Sequence, residues 1–220
     1  MEKKSASPCE CQNIIGNAYK AASSLTGAGE KAIGNALLLH SCCGPCSTSV
    51  IERLIPDYDI TVFFYNPCIT DQEEYEKRKS NQIRFINEFN LNLPEKHRVQ
   101  FIEGGYEPEE YYRLVSGYSN EPEGGARCEI CFRQRLMETA KTAARTGFGL
   151  FTTTLTVSPH KNYELISAIG KEAGEKFGIE FLDIDFKKKA RFQRSIQLSR
   201  EYSLYRQDYC GCEYSKRQDK

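Results

Sequence analysis

Tryptophan is absent from this 220-residue chain, net charge at neutral pH is zero, and Lys187–Lys220 is its one distinctly basic stretch. No run of about 18 apolar residues occurs, which excludes a membrane-spanning helix on hydropathy. The N-terminus lacks the apolar core of a secretory leader. The expected compartment is therefore the cytoplasm, where thiols bind metal or turn over more often than they staple a fold. Apolar residues make up 40% and charged residues 27%, enough for one sizeable buried core.

Cysteine is what the chain has in excess. Ten are present, and seven fall into three tight constellations: Cys42-Cys43-Gly44-Pro45-Cys46, Cys128-Glu129-Ile130-Cys131 and Cys210-Gly211-Cys212. Cys68 stands alone, and Cys9 and Cys11 sit near the N-terminus. Packing rarely requires thiols bunched this densely, so the chemistry points to metal or redox work. The neutral net charge also hides a division. Lys187–Lys220 carries ten Lys/Arg against four Asp/Glu, a basic segment on an acidic body. Such a segment suits a polyanion such as RNA, or is simply a solvated helix face.

Residues 1–35, rich in Ser, Ala and Gly, read as a flexible extension without catalytic cysteines. Residues 36–220 read as a single α/β domain. Strands are expected at 36–40, 60–65, 99–102, 150–157 and 179–184. Helices are expected at 48–54, 72–89, 107–114, 130–145, 162–177 and 190–205. The alternation implies a doubly wound parallel sheet, followed by a C-terminal helical tail that leads to Cys210 and Cys212. In such sheets ligands collect beyond the carboxyl ends of the strands. The loops bearing Cys42-Cys43, Asn66-Pro67-Cys68 and Ser158-Pro159-His160 should therefore meet.

Cys128 and Cys131 stand at a helix start, where the dipole favours thiolate. With Cys42 and Cys43 they supply four thiolates, enough for a zinc site or a 4Fe–4S cluster, and ligand counting does not separate the two. Cys46 either joins a metal or packs beneath the loop. Cys210-Gly211-Cys212 leaves little room for a relaxed disulfide, and a strained one suits an electron relay; metal ligation is the competing role. Individually, Cys68 and His160 read as small or polar residues at strand ends, and His40 and His97 carry no functional signal. Nucleotide-dependent tRNA-modifying enzymes of similar build place Ser-Gly-Gly after the first strand. Here Ser41-Cys42-Cys43-Gly44-Pro45-Cys46 replaces those glycines with thiols, which argues against ATP.

Longer motifs narrow the choice. They are Leu38-Leu39-His40-Ser41-Cys42-Cys43-Gly44-Pro45-Cys46, Phe64-Tyr65-Asn66-Pro67, Glu74-Tyr75 with Arg78, Gly124-Gly125-Ala126-Arg127-Cys128-Glu129-Ile130-Cys131-Phe132, Thr153 to Asn162, and Tyr205 to Cys212. From about Ala36 to Tyr214 the chain resembles the QueH-type epoxyqueuosine reductases of tRNA queuosine synthesis. The resemblance implies a HUP-like fold and a 4Fe–4S cluster held by Cys42, Cys43, Cys128 and Cys131. It also implies a redox-active pair, Cys210 and Cys212, and an additional iron ion whose ligands the sequence does not assign. The partners would be a tRNA carrying epoxyqueuosine and an unidentified electron donor, with no membrane. Tyr209 and Asp208 are candidates for proton handling by position alone. Where the family commonly has Asn after Asn66-Pro67, this chain has Cys68. A zinc-bearing RNA-binding module and a protein thiol–disulfide oxidoreductase are the rival readings.

Overall fold

Residues 35–216 are described by the computed structural model. The extension with Cys9 and Cys11 lies outside the described residues. Five strands, β1 (Ala36–His40), β2 (Asp59–Phe64), β3 (Gln100–Glu103), β4 (Leu150–Thr153) and β5 (Glu180–Phe181), form one all-parallel sheet in the order β3-β2-β1-β4-β5. Among the described residues six helices accompany them: α1 (Gly44–Leu54), α2 (Gln72–Asn90), α3 (Pro108–Leu114), α4 (Ala126–Thr146), α5 (Tyr163–Phe177) and α6 (Arg191–Glu201). The doubly wound α/β class expected from the alternation is the one observed.

Strand β1 occupies the centre because both of its faces are apolar. Leu38 pairs with Thr61 on one side and Phe151 on the other, and Leu37, Leu38 and Leu39 are all fully buried. Alternation sorts the side chains between two layers. Leu37 and Leu39 join Ile60 and Val62 against Val50 and Ile51 of α1 and Phe85 and Ile86 of α2. Leu38 joins Phe63 and Phe151 on the other face, against Ala140 and Ala143 of α4 and Ala173 of α5. Helix α6 lies along α1 and is tied to it by charge: Arg194 grips Glu52 through Nε and Nη2 (2.6 Å), and Arg191 reaches the same carboxylate. The basic tail thus spends part of its charge on docking itself.

Helix boundaries follow their caps. The Asp71 carboxylate accepts from the backbone N–H of Glu73 and Glu74 at the start of α2, and Asn162 does the same for Leu165 at the start of α5. Helix α4 closes on Gly147 in the left-handed region (φ 81°). Several boundaries differ from the expected ones: α1 and α4 each begin four residues early, at Gly44 and Ala126, and three ends are shortened. Strand β4 stops at Thr153, because the Thr153 hydroxyl accepts from Leu155 N (3.1 Å) and the chain coils into a 3₁₀ turn over Thr154–Val157. Strand β5 shrinks to two residues at the sheet edge. Helix α6 ends at Glu201, where Ser203 enters the left-handed region (φ 48°) and the chain turns back over α2.

Between β1 and β4 the strand order reverses, since the chain leaves β1 toward β2 and returns to its other side as β4. The crevice beyond the carboxyl ends at such a reversal is where doubly wound sheets bind ligands. Among the described residues no helix is long and apolar enough to cross a membrane.

Candidate metal and thiol centre

Cys42 and Cys43 leave β1 directly into this crevice. Cys43 is the extended N-cap residue of α1 (φ −173°), Gly44 and Pro45 make the first turn, and Cys46 follows on it. This local geometry gathers three sulfurs: Sγ of Cys42, Cys43 and Cys46 lie within 4.8 Å of one another at a helix N-terminus. Among the described residues they are the one such donor group. Cys42 and Cys43 sulfurs are 3.8 Å apart, and Cys42 lies 3.8 Å from Thr154 Oγ1 at the end of β4. Gln207 Nε2 donates to Cys43 Sγ at 3.0 Å, bringing the C-terminal segment onto the group. Hydrogen bonds from Cys43 and Cys46 hold the Cys42 thiol well below its ordinary pKa. The same interaction pushes Cys43 up to about 11 and raises Cys46 as well.

Five further cysteines line a neighbouring cavity: Cys68, Cys128, Cys131, Cys210 and Cys212, with Tyr111 beside them. Helix α4 begins at Ala126, earlier than its periodicity suggests, so Cys128 and Cys131 occupy its first two turns. Cys128 Sγ accepts from Gly124 N–H at 3.2 Å. Cys68, Cys131 and Cys212 pack with Tyr111 and Val115 in one buried cluster. A hydrogen bond from Cys131 draws the Cys68 thiol down to about 6 against the effect of burial, helped by the Arg135 and Arg78 cations.

Two cations accompany the sulfurs. Arg135, fully buried on α4, directs Nη1 at Cys131 Sγ (3.7 Å), Nη2 at the Asn66 side-chain oxygen (2.9 Å) and Nε at His40 Nε2 (3.3 Å). Burial and Arg135 push His40 down to about 3, so it is a neutral strut whose Nδ1 meets Thr153 Oγ1 at 2.8 Å. Burial alone would lower the Lys161 ammonium, but Cys210, Cys42 and Cys46 raise it. Lys161 itself is half-buried. Its sequence neighbour His160 is exposed in the turn.

The loops after β1 and β2 meet as expected through Asn66 and Ser41, and the chain after β4 joins them at Thr154, before Ser158-Pro159-His160. Cys42 and Cys43 stand with Cys46; Cys128 and Cys131 stand outside that close group, with Cys68, Cys210 and Cys212. Asp208 is exposed, and Tyr209 lies over the Arg78 guanidinium (5.1 Å). Sequence reasoning gave no separate role to Arg135, Lys161, Gln207 or Tyr111. For Arg135 a signal existed: Arg127, Cys131, Arg135 and Thr139 form a buried polar stripe at helical spacing on α4.

The donor chemistry fits a metal–sulfur centre. Soft thiols predominate, a helix N-terminus and two cations offset their charge, and an otherwise apolar wall limits water. Among the described residues the buried Tyr111 hydroxyl, in a residue that lines the cavity, has no hydrogen-bond partner. The Cys42–Cys43–Cys46 group alone could hold a metal ion.

Comparison with known proteins gives the centre its context. A family model, "Epoxyqueuosine reductase QueH", matches residues 37–218. The epoxyqueuosine reductase QueH of Streptococcus pyogenes serotype M1 is 42% identical over 186 residues, covering 84% of this chain and 72% of that protein. Its counterpart in Staphylococcus epidermidis is 40% identical over 181 residues, covering 81% and 75%. The Thermotoga maritima protein of the same name is 38% identical over 182 residues, covering 81% and 89%. The matched span takes in every cysteine from Cys42 to Cys212 and every strand of the sheet, and on that extent the chain belongs to the QueH family.

Proposed function

We propose that this chain is an epoxyqueuosine reductase, an oxidoreductase that acts on tRNA in the cytoplasm. The observation that carries the reading is the family match over residues 37–218, whose span holds all eight converging cysteines. The reaction removes one oxygen: both epoxide C–O bonds break, a C=C bond forms, and two electrons and two protons convert the oxygen to water. A dithiol closing to a disulfide releases the same two electrons and two protons, so the exchange balances with Cys210 and Cys212 as donors. An external electron donor then restores the dithiol.

Cys42, Cys43, Cys128 and Cys131 would hold a 4Fe–4S cluster, which when bound supplies single-electron transfer. Cys46 is then the thiol of the first group left for an additional iron. Arg135 holds Cys131 and the Asn66 loop in register. Lys161, whose pKa is raised by Cys210, Cys42 and Cys46, would stay a cation available to negative charge developing on the oxygen. Residues 36–220 would form the one catalytic domain, with residues 1–35 as an extension to it.

Anaerobic purification tests the reading. Iron and acid-labile sulfide, an EPR signal on reduction, and conversion of epoxyqueuosine to queuosine in tRNA are expected together. Zinc alone, with RNA binding but no conversion, would overturn the reading in favour of a binding module. Thiol–disulfide exchange on proteins by metal-free material would favour the oxidoreductase alternative.

A further inference from the structure

Arg78 is a buried cation whose hydrogen bonds reach the segment of the last two cysteines. Its side chain is 1% exposed and donates from Nε to Glu74 Oε1 at 2.6 Å. The remaining donors go to main chain that returns from the far end of the protein: Nη1 to the Cys210 carbonyl (3.0 Å) and Nη2 to the Tyr209 carbonyl (3.3 Å). The next residue, Gly211, sits at φ +130°, where a Cβ would meet Ile69 Cγ1 at 2.9 Å and Arg78 Nη1 at 3.2 Å. One guanidinium thus bonds two consecutive carbonyls, of Tyr209 and Cys210, and limits side-chain space at the third residue, Gly211. Its carboxylate partner is itself fixed, since the Tyr205 hydroxyl donates to Glu74 Oε2 at 2.9 Å. Asn81, on the same helical face, exchanges two hydrogen bonds with the Tyr205 backbone.

Both cysteines of that segment line the cavity shared with Cys68, Cys128 and Cys131. Cys212 is buried in the cluster with Cys68, Tyr111 and Cys131. Cys210 is half-buried and lines that cavity beside it. We propose that Arg78, latched by Glu74, is a positioning residue for the Cys210–Cys212 pair, fixing residues 209–211 so that both sulfurs are held at the cavity beside Cys68, Cys128 and Cys131. The proposal rests on the reading of these two cysteines as the redox pair. Lysine cannot replace the fork, because one ammonium does not span a carboxylate and two carbonyls in a plane. A backbone so held has already lost the freedom that electron exchange between sulfurs would otherwise cost.

The test uses the anaerobically reconstituted full chain and epoxyqueuosine-containing tRNA, with Arg78→Ala, Arg78→Lys and the double variant Arg78→Met/Glu74→Gln. The double variant avoids leaving a buried carboxylate unpaired, so it keeps the fold. Expected is a kcat lowered about tenfold or more with KM within about twofold, partial recovery in Arg78→Lys, and unchanged iron content. Iodoacetamide labelling should show Cys212 becoming about fivefold more reactive while Cys68 does not change. Unaltered kcat and Cys212 labelling in the double variant would overturn the proposal, as would iron loss with every cysteine exposed, since that marks a merely structural arginine. A Cys210→Ser/Cys212→Ser variant separates the two levels. If it still turns over, the redox reading fails and takes the proposal with it. If it is inactive while the Arg78 variants keep full kcat, only the positioning role fails.

Discussion

Arg135 Nη2 donates to the Asn66 side-chain oxygen at 2.9 Å, a bond between the second turn beyond the α4 cysteines and the loop that ends β2. Asn66 in turn donates from Nδ2 to the Ser41 carbonyl at 2.9 Å, just before Cys42. The bare guanidinium thereby couples the loop after β1, the loop after β2 and helix α4. Replacing Arg135 by Met leaves the Asn66 oxygen and His40 Nε2 without their donor and removes the cation beside Cys131. A loss of about 2–4 kcal/mol is expected, as for a broken buried polar network. The urea midpoint of metal-free protein measures it, and a loss well under about 1 kcal/mol would show that the network does not hold the loops.

Cys128→Ser removes one thiolate from the α4 pair while leaving the first sulfur group intact. The variant is expected to purify without the brown colour of iron–sulfur protein and without reductase activity. Iron and sulfide analysis beside an activity assay decides it, and a fully active, iron-free Cys128→Ser protein would sink the cluster assignment.

Replacing both Cys210 and Cys212 by serine removes the electron store without touching Cys42, Cys43, Cys128 or Cys131. Iron content should stay as in the parent protein, while multiple turnovers are lost. Product counted per enzyme is the measurement. Continued turnover beyond the first would count decisively against the relay.

How far these sites could be read in advance depends on how local their signals are. Cys42-Cys43 after a strand and Cys128-x-x-Cys131 at a helix start are contiguous patterns, so both pairs and their place at the sheet's carboxyl edge are legible. The five strands are legible for the same reason, as short apolar runs separated by helical periodicity. Other features depend on distance in space. Cys68, Cys131 and Cys212 share one cluster although 63 and 81 residues separate them in turn, and no local spacing encodes that contact. The shortening of β4 was hidden because Thr153 and Thr154 favour strands, while the Thr153 hydroxyl spends itself on Leu155 N. The docking of the basic tail through Glu52 was hidden too, since a charge count does not say which arginines are already paired.

Asp183 supplies a pH-dependent contribution far along the chain from the cysteines. Burial alone would raise its carboxyl, but hydrogen bonds from Lys171, Ser167 and Tyr163 outweigh that and hold its pKa below the ordinary value. The bonds are 2.8, 2.7 and 2.9 Å long, and tie α5 to the segment after β5. Because the folded pKa lies below the unfolded one, the unfolded chain binds more protons in the window between them, and stability rises with pH there. The contribution is therefore complete above about pH 4, the ordinary aspartate pKa, and fades as pH falls through the folded value. Asp183→Asn is expected to cost about 1 kcal/mol at pH 7, allowing for the exposed Lys171 partner. Paired urea titrations of metal-free parent and variant give the profile. The gap between them should hold constant from pH 7 to 5 and narrow below pH 4. A gap that persists undiminished at the acid end would mean that Asp183 packs there without acting through its charge.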